Sequence, residues 1–266
     1  MPGNDLSALR PKLESILREA GALAIATSRS AFRHWTKGAD RSPVSEADIA
    51  VNDFLRSRLT DLVSDAVWIS EETEAIPEEP FSSAWIVDPI DGTRAFISGR
   101  TDWSISVALA ERDRPTVAAL FAPASGEMFL ASRGGGATLN DAPLRAKDDD
   151  ALGGVRIAGP KRHLDQFSKV IPGFIAQAKV HSLALRLARV AQGSVDASFA
   201  SQGSRSWDLA AADLLVHEAG GVLTDFTGEP LKYHSPQRVF GALVAAGRRR
   251  HHSLLTLVRG RAAEFA

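Results

Sequence analysis

The chain contains no cysteine among its 266 residues. That excludes disulfides, thiolate metal sites and every mechanism that needs a sulfur nucleophile. A surplus of charge is also missing: 31 basic residues meet 32 acidic ones, for a formal net charge of -1. No bulk basic field argues for a nucleic acid polymer or an anionic membrane as partner. No apolar run approaches the roughly 20 residues of a membrane-spanning helix, and the start, MPGNDLSALRPKLESIL, lacks the apolar core of a signal peptide. A soluble cytoplasmic protein is the expectation. With 44% hydrophobic and 24% charged residues the composition is that of an ordinary globular chain, and its length allows one large domain or two packed ones.

Leu9, Leu13, Ile16, Leu17, Ala20 and Leu23 recur every three or four residues and predict an amphipathic helix ending near Ser28. AFRHWTKGADRSP breaks that pattern. Ser45 with Asp48 three residues on reads as a capping box for a second helix. VWIS is a short strand ending at Glu71-Glu72, and TEAIPEEPFSS a polar, proline-bearing loop. Trp103, Ile105, Val107 and Leu109 alternate with small residues at the period of a strand, and TVAALFA, GEMFLAS and RGGGATLNDAPL continue as strands with turns between. The middle of the chain is thus a largely antiparallel sheet. KDDDALGG, at 147–154, is the boundary candidate. Beyond it VRIAG (strand), HLDQFSKVIPGFIAQA, SLALRLARVAQG and WDLAAADLLVHEAGG (helices) and VLTDF (strand) alternate. The tail RRRHHSLLTLVRGRAAEF reads as a closing helix with a solvated RRRHH start. The expected class is α/β: an α+β half over 1–150 and an α/β half over 151–266.

Residues 84–93 read AWIVDPIDGT. A buried strand that ends in two carboxylates three positions apart needs a cation, because both cannot cheaply stay ionised alone. Hard divalent cations such as Mg²⁺ take carboxylate and backbone carbonyl oxygens, which Asp88, Asp91 and the Ile90 carbonyl offer. Gly92 allows close backbone approach, and the Gly92 and Thr93 amides open the next helix toward a phosphate. Helix capping by acids is the alternative for this stretch and equally for Asp48, Glu71 and Asp208 taken singly.

Taken together, SPVSEAD, SEE, WIVDPIDGTRAFISG, FAPASGEMF, VAQGSVDA, WDLAAAD and EAGGVLTDFTGEPL resemble the inositol monophosphatase superfamily of lithium-sensitive phosphomonoesterases, from about Ala8 to Gly247. The resemblance implies a layered αβαβα sugar-phosphatase-like fold. It also implies two or three Mg²⁺ ions bound by Glu71, Asp88, the Ile90 carbonyl, Asp91 and Asp208. Glu71 and Thr93 match residues that help activate the water, and Asp48 lies near a third, weaker metal. Gly92 and Thr93 match phosphate binders, and Lys37 occupies a loop that folds over the site in relatives. The implied partner is a small phosphorylated metabolite, and a homodimer is left open. The haloacid dehalogenase signature D-x-D-G-T is one residue shorter than the spacing here.

Within the superfamily, inositol enzymes carry a glutamate seven residues before the second-half aspartate, and this chain has Ser201 there. SPVSEADIAVNDFL, FAPASGEMF and TGEPLKYHSP look closer to the bacterial 3'(2'),5'-bisphosphate nucleotidases. Ser182, Arg186 and Arg205 are the implied substrate contacts. The tyrosine-proline-arginine stretch usual in those enzymes is absent. Inositol 1-phosphate and then histidinol phosphate are the alternative substrates, and a regulatory interaction protein with a retained metal site is the non-enzymatic one.

Overall fold

The computed structural model describes residues 6–38, 42–73, 81–233, 239–261 and 265. The first periodic stretch forms α1 (Leu6–Ser28), which buries Leu9, Leu13, Ile16, Leu17, Ala20 and Ala24. Where the sequence pattern shows only a break, β1 (His34–Lys37) and β2 (Ser42–Ser45) pair as an antiparallel ribbon. The capping box then opens α2 (Glu46–Thr60). Next come β3 (Val67–Ser70), β4 (Ser83–Asp91), a single turn α3 (Thr93–Ile97), β5 (Ser104–Glu111), β6 (Arg114–Ala122), β7 (Glu127–Ser132), β8 (Ala137–Leu139) and β9 (Ala142–Pro143). These strands lie in sequence order in one seven-stranded sheet, parallel only between β3 and β4.

The second half gives β10 (Arg156–Ala158), α4 (Lys161–Val170), β11 (Ile175–Ala176), α5 (Leu183–Ala191), β12 (Ala197–Ala200), α6 (Ser206–Glu218), β13 (Gly221–Asp225), β14 (Leu243–Gly247) and α7 (Arg248–Arg259). Its five-stranded sheet runs β11-β10-β12-β14-β13. The helix expected over 163–178 stops at Val170. Pro172 has no amide to continue the ladder, and the chain turns out into β11.

The layers follow from which side chains share a core. Alternate large residues of β5 (Ile105, Val107, Leu109) pack with Leu13 and Leu17 of α1 and Val51 and Leu55 of α2. The alternating alanines, Ala108 and Ala110, face Leu187 of α5 and Leu209 and Leu215 of α6, and that same core continues to Leu243 and Ala245 of β14. On the far side Phe167 of α4 and Leu254 and Val258 of α7 cover the five-stranded sheet. The order is helix, sheet, helix, sheet, helix. Small residues on the β5 face let α6 approach closely.

The RRRHH stretch opens α7 and is solvated at Arg248, Arg249 and His252, but not throughout. Arg250 and His251 are 4% and 6% exposed; Arg250 donates to Asp149 and to the Lys147 carbonyl, and His251 Nε2 lies 2.9 Å from Thr224 Oγ1. The segment 147–154 carries no helix or strand and is tied to α7 by these contacts. The expected proline-bearing loop falls, over 74–80, outside the described residues, as do 39–41 and 234–238. Among the described residues no helix is long and apolar enough to cross a membrane.

Candidate active site

In a regular strand, residues three apart point to opposite faces. Asp88 pairs with Ser106 and Asp91 with Ser104, so three steps on β4 match two on β5. This bulge adds one residue and re-aims the second carboxylate toward the first. Pro89, which has no amide to give to a ladder, sits inside it. β4 therefore does not end before its aspartates, as the apolar run alone suggests, but carries them. At Gly92 the backbone adopts φ +95°, and a Cβ there would meet the Ser182 amide nitrogen at 3.1 Å.

β3 lies parallel to β4 with Ser70 beside Val87, and the Glu71 amide donates to the Val87 carbonyl at 3.2 Å. That register sets Glu71 next to Asp88. Asp208 arrives from the other half at the third position of α6, where its Oδ2 accepts the Arg205 amide at 2.6 Å. Asp48 is placed the same way on α2: its Oδ2 accepts the Ser45 amide at 2.8 Å and the Ser45 hydroxyl at 2.5 Å. In each case one oxygen is spent on the cap. Asp48 Oδ1 lies 3.2 Å from Thr93 Oγ1, whose single proton is shared with the Ile90 carbonyl at 3.1 Å. The capping and catalytic readings of these acids are therefore compatible: the cap orients the carboxylate.

Asp88, Asp91 and Asp208 bring one oxygen each within 4.8 Å of one another. Burial is the first cause of high proton affinity in this group. It pushes Asp88 well up, helped by the charges of Glu71 and Asp91. Asp208 rises to about 7 through burial and then the Asp91 charge. Glu71 rises to about 8 through burial, opposed by Lys37 and reinforced by Asp208 and Glu72. Asp48 rises to about 6, again through burial. Asp91 is raised by burial although Ser182, Ala184 and Leu183 donate to it. So many buried acids of one sign are held at a cost that a divalent cation would relieve. Hard oxygen donors converging at this spacing fit Mg²⁺. Asp88, Asp91 and Asp208 are the acids whose oxygens come close enough together to hold it.

The sequence-derived substrate contacts divide. Arg205 is exposed and lines a cleft of about 880 Å³ together with Lys37, Glu71 and Asp208. Lys37 Nζ donates to Glu72 Oε1 at 2.5 Å and to the Glu71 carbonyl at 3.0 Å, which brings its loop onto the acids. Ser182 is not a substrate contact. It is fully buried; its hydroxyl donates to Asp91 Oδ2 at 2.6 Å and accepts the Leu185 amide at 2.9 Å as the N-cap of α5. Arg186 likewise turns inward: Nη2 donates to the Phe199 carbonyl at 3.2 Å, and burial lowers its proton affinity while the charge of Asp91 raises it. Ser182 holds Asp91 and the start of α5, and Arg186 ties α5 to β12.

Two groups escaped the sequence reading. Glu72 anchors Lys37, and Asp102 fixes the approach to α5 by accepting the His181 amide at 2.9 Å and facing His181 Nδ1 at 2.6 Å. Glu72 was visible as the second acid of SEE; nothing local marks Asp102, which sits 79 residues from its partner.

A model of the inositol monophosphatase family matches residues 6–261. Nus factor SuhB of Vibrio cholerae is 30% identical over 229 residues, covering 77% of this chain and 85% of its own. Inositol-1-monophosphatase of Mesorhizobium japonicum is 34% identical over 194 residues, covering 70% and 73%. An IMPase of Thermotoga maritima superposes with a TM-score of 0.80 at 26% identity, covering 95% of this chain and 97% of its own. An IMPase/NADP phosphatase solved with NADP and Ca²⁺ shares the fold, with a TM-score of 0.84 at 19% identity over 96% and 97% of the two chains. With acids from β4 and α6 converging as described, and a family match running almost end to end, the chain belongs to the inositol monophosphatase family of Mg²⁺-dependent phosphatases.

Proposed function

We propose that the protein hydrolyses the phosphomonoester of a small metabolite carrying two phosphates, with adenosine 3',5'-bisphosphate ahead of inositol 1-phosphate and histidinol phosphate. The observation that carries this preference is Arg205: an exposed guanidinium opening into the same cleft as Asp208, in a stretch with Ser201 and no acid. An exposed cation there suits a second phosphate, because guanidinium and phosphate pair through two parallel hydrogen bonds. The carboxylate that reads a ring hydroxyl in inositol enzymes is replaced here by Ser201, a weaker, uncharged partner.

When bound, Mg²⁺ supplies Lewis acidity, offsetting the carboxylate and phosphate charge and making water a better nucleophile near neutral pH. The chain's own groups do the rest. Glu71, whose carboxyl burial raises to about 8 while no cation is bound, lines the cleft with side-chain oxygens suited to take a proton from the attacking water once the carboxyl is ionised. The Thr93 hydroxyl, held between Asp48 Oδ1 and the Ile90 carbonyl, keeps the end of β4 in register with α2. Ser182, Leu183 and Ala184 donate to both oxygens of Asp91 at 2.6 to 3.1 Å and fix its orientation. No side chain is required as a covalent nucleophile.

A panel of phosphate-release assays with adenosine 3',5'-bisphosphate, inositol 1-phosphate, histidinol phosphate and fructose 1,6-bisphosphate tests the preference. The adenosine bisphosphate should give the highest kcat/KM, and Arg205→Ala should lower it about tenfold to a hundredfold, as expected for one charge-assisted contact. A higher kcat/KM for inositol 1-phosphate in the wild type contradicts the reading. The Vibrio cholerae relative named Nus factor favours a second reading, in which the chain also serves as an interaction protein. Full partner binding by Asp208→Asn, a variant expected to lose turnover, would support it.

A further inference from the structure

Among the described residues only four large hydrophobic side chains are left exposed, and two of them, Trp35 (45%) and Ile49 (37%), open onto the catalytic cleft. The register of the β1–β2 ribbon explains why. Trp35 pairs with Val44 and Lys37 with Ser42. Residues directly opposite in an antiparallel pair share a face, and so do residues two apart on one strand. Trp35, Lys37, Ser42 and Val44 are therefore one face of the ribbon, and all four line the cleft. Lys37 anchors this face onto Glu71 and Glu72. Trp35 follows two residues back, about 7 Å along the strand at the usual rise, a distance comparable with the width of a pentose. Trp207, next to Asp208, continues the apolar wall.

The cleft thus sets aromatic surface beside its charged groups. A polyol chair meets an indole only through axial C–H bonds on a puckered ring, and its rim of hydroxyls still needs polar partners. A planar heteroaromatic ring covers it and removes both surfaces from water. The volume of about 880 Å³ falls within the range of about 300–1,000 Å³ typical of small-molecule sites.

We infer that Trp35 is a specificity residue whose indole stacks on a nucleobase of the substrate while the ester phosphate lies at the carboxylate cluster. This rests on the phosphatase reading and adds to it: Arg205 reads a phosphate, Trp35 reads the ring.

AMP and ribose 5-phosphate share phosphate and sugar and differ only in the base, so their affinities isolate the stacking. By calorimetry with Mg²⁺ present, the wild type should bind AMP more tightly than ribose 5-phosphate. In Trp35→Ala that advantage should fall about 5-fold to 150-fold, the range measured for one base on one aromatic side chain. AMP should quench tryptophan fluorescence in the wild type, and Trp35→Phe should retain most of the advantage while losing most of that quenching. Equal affinities in the wild type, or an AMP advantage that survives Trp35→Ala, overturn the inference. A wild type that prefers AMP to ribose 5-phosphate but releases no phosphate from adenosine 3',5'-bisphosphate sinks the nucleotidase reading and leaves the indole platform standing.

Discussion

Ser182→Ala separates a positioning role from a substrate contact. The hydroxyl donates to a buried carboxylate at 2.6 Å, accepts the Leu185 amide at 2.9 Å and lies 2.8 Å from Ser104 Oγ. A hydrogen bond to a charged group contributes about 1.5–3 kcal/mol, and loss of an N-cap costs about 0.5–2 kcal/mol. The two share one oxygen and do not add fully, so the expected destabilisation is about 2–4 kcal/mol. For a chain of this size that lowers Tm by roughly 5–15 °C. Thermal and urea unfolding read the loss, and calorimetry with Mg²⁺ should show weaker metal binding because Asp91 is less constrained. If stability changes by less than about 0.5 kcal/mol while KM for the substrate rises, Ser182 touches substrate and the placement argued above is wrong.

Three further outcomes follow from the same geometry. Glu71 and Asp208 titrate near 8 and 7 in the folded protein and near 4 when unfolded, so without metal the folded state holds the extra protons and stability falls as pH rises from about 4 to 8. Mg²⁺ should therefore raise Tm more at pH 8 than at pH 5, and an equal shift at both would contradict the shared acidic site. Lys37→Met removes the cation that opposes the upward shift of Glu71; the acidic limb of the kcat/KM profile should move to higher pH, whereas an unmoved limb removes Glu71 as the titrating base. Gly92→Ala puts a Cβ 3.1 Å from the Ser182 amide nitrogen at φ +95°; a loss of at least about 1–2 kcal/mol is expected from the left-handed backbone alone, and urea unfolding at wild-type stability would mean that the turn relaxes.

Much of the architecture was legible because period and punctuation agree: α1, α2, α6 and the β5–β7 meander fall where hydrophobic spacing puts them. The parts that were not legible have physical reasons. β12 (ASFA) and β14 (LVAAG) are short and alanine-rich, so they lack the β-branched signature of a strand; small side chains are what a sheet covered on both faces by helices needs. The bulge in β4 depends on a register with β5 that no local pattern encodes. The metal acids were readable as capping residues with spare oxygens. Ser182 and Asp102 were misread or missed because their partners lie 91 and 79 residues away, and Arg186 because its guanidinium bonds a backbone carbonyl of β12 that no side-chain pattern marks.

The account stands or falls on one cation site closed by acids from both halves of the chain. Asp208→Asn keeps the shape of the side chain and an oxygen to accept the Arg205 amide, but removes the charge facing Asp88 and Asp91. Calorimetric titration of this variant with Mg²⁺, together with phosphate release, tests it. The account predicts a folded protein with Mg²⁺ affinity and turnover each reduced about a hundredfold or more, at least the loss seen when partners of metal ligands are removed. A folded Asp208→Asn variant that binds Mg²⁺ and releases phosphate like the wild type would contradict it.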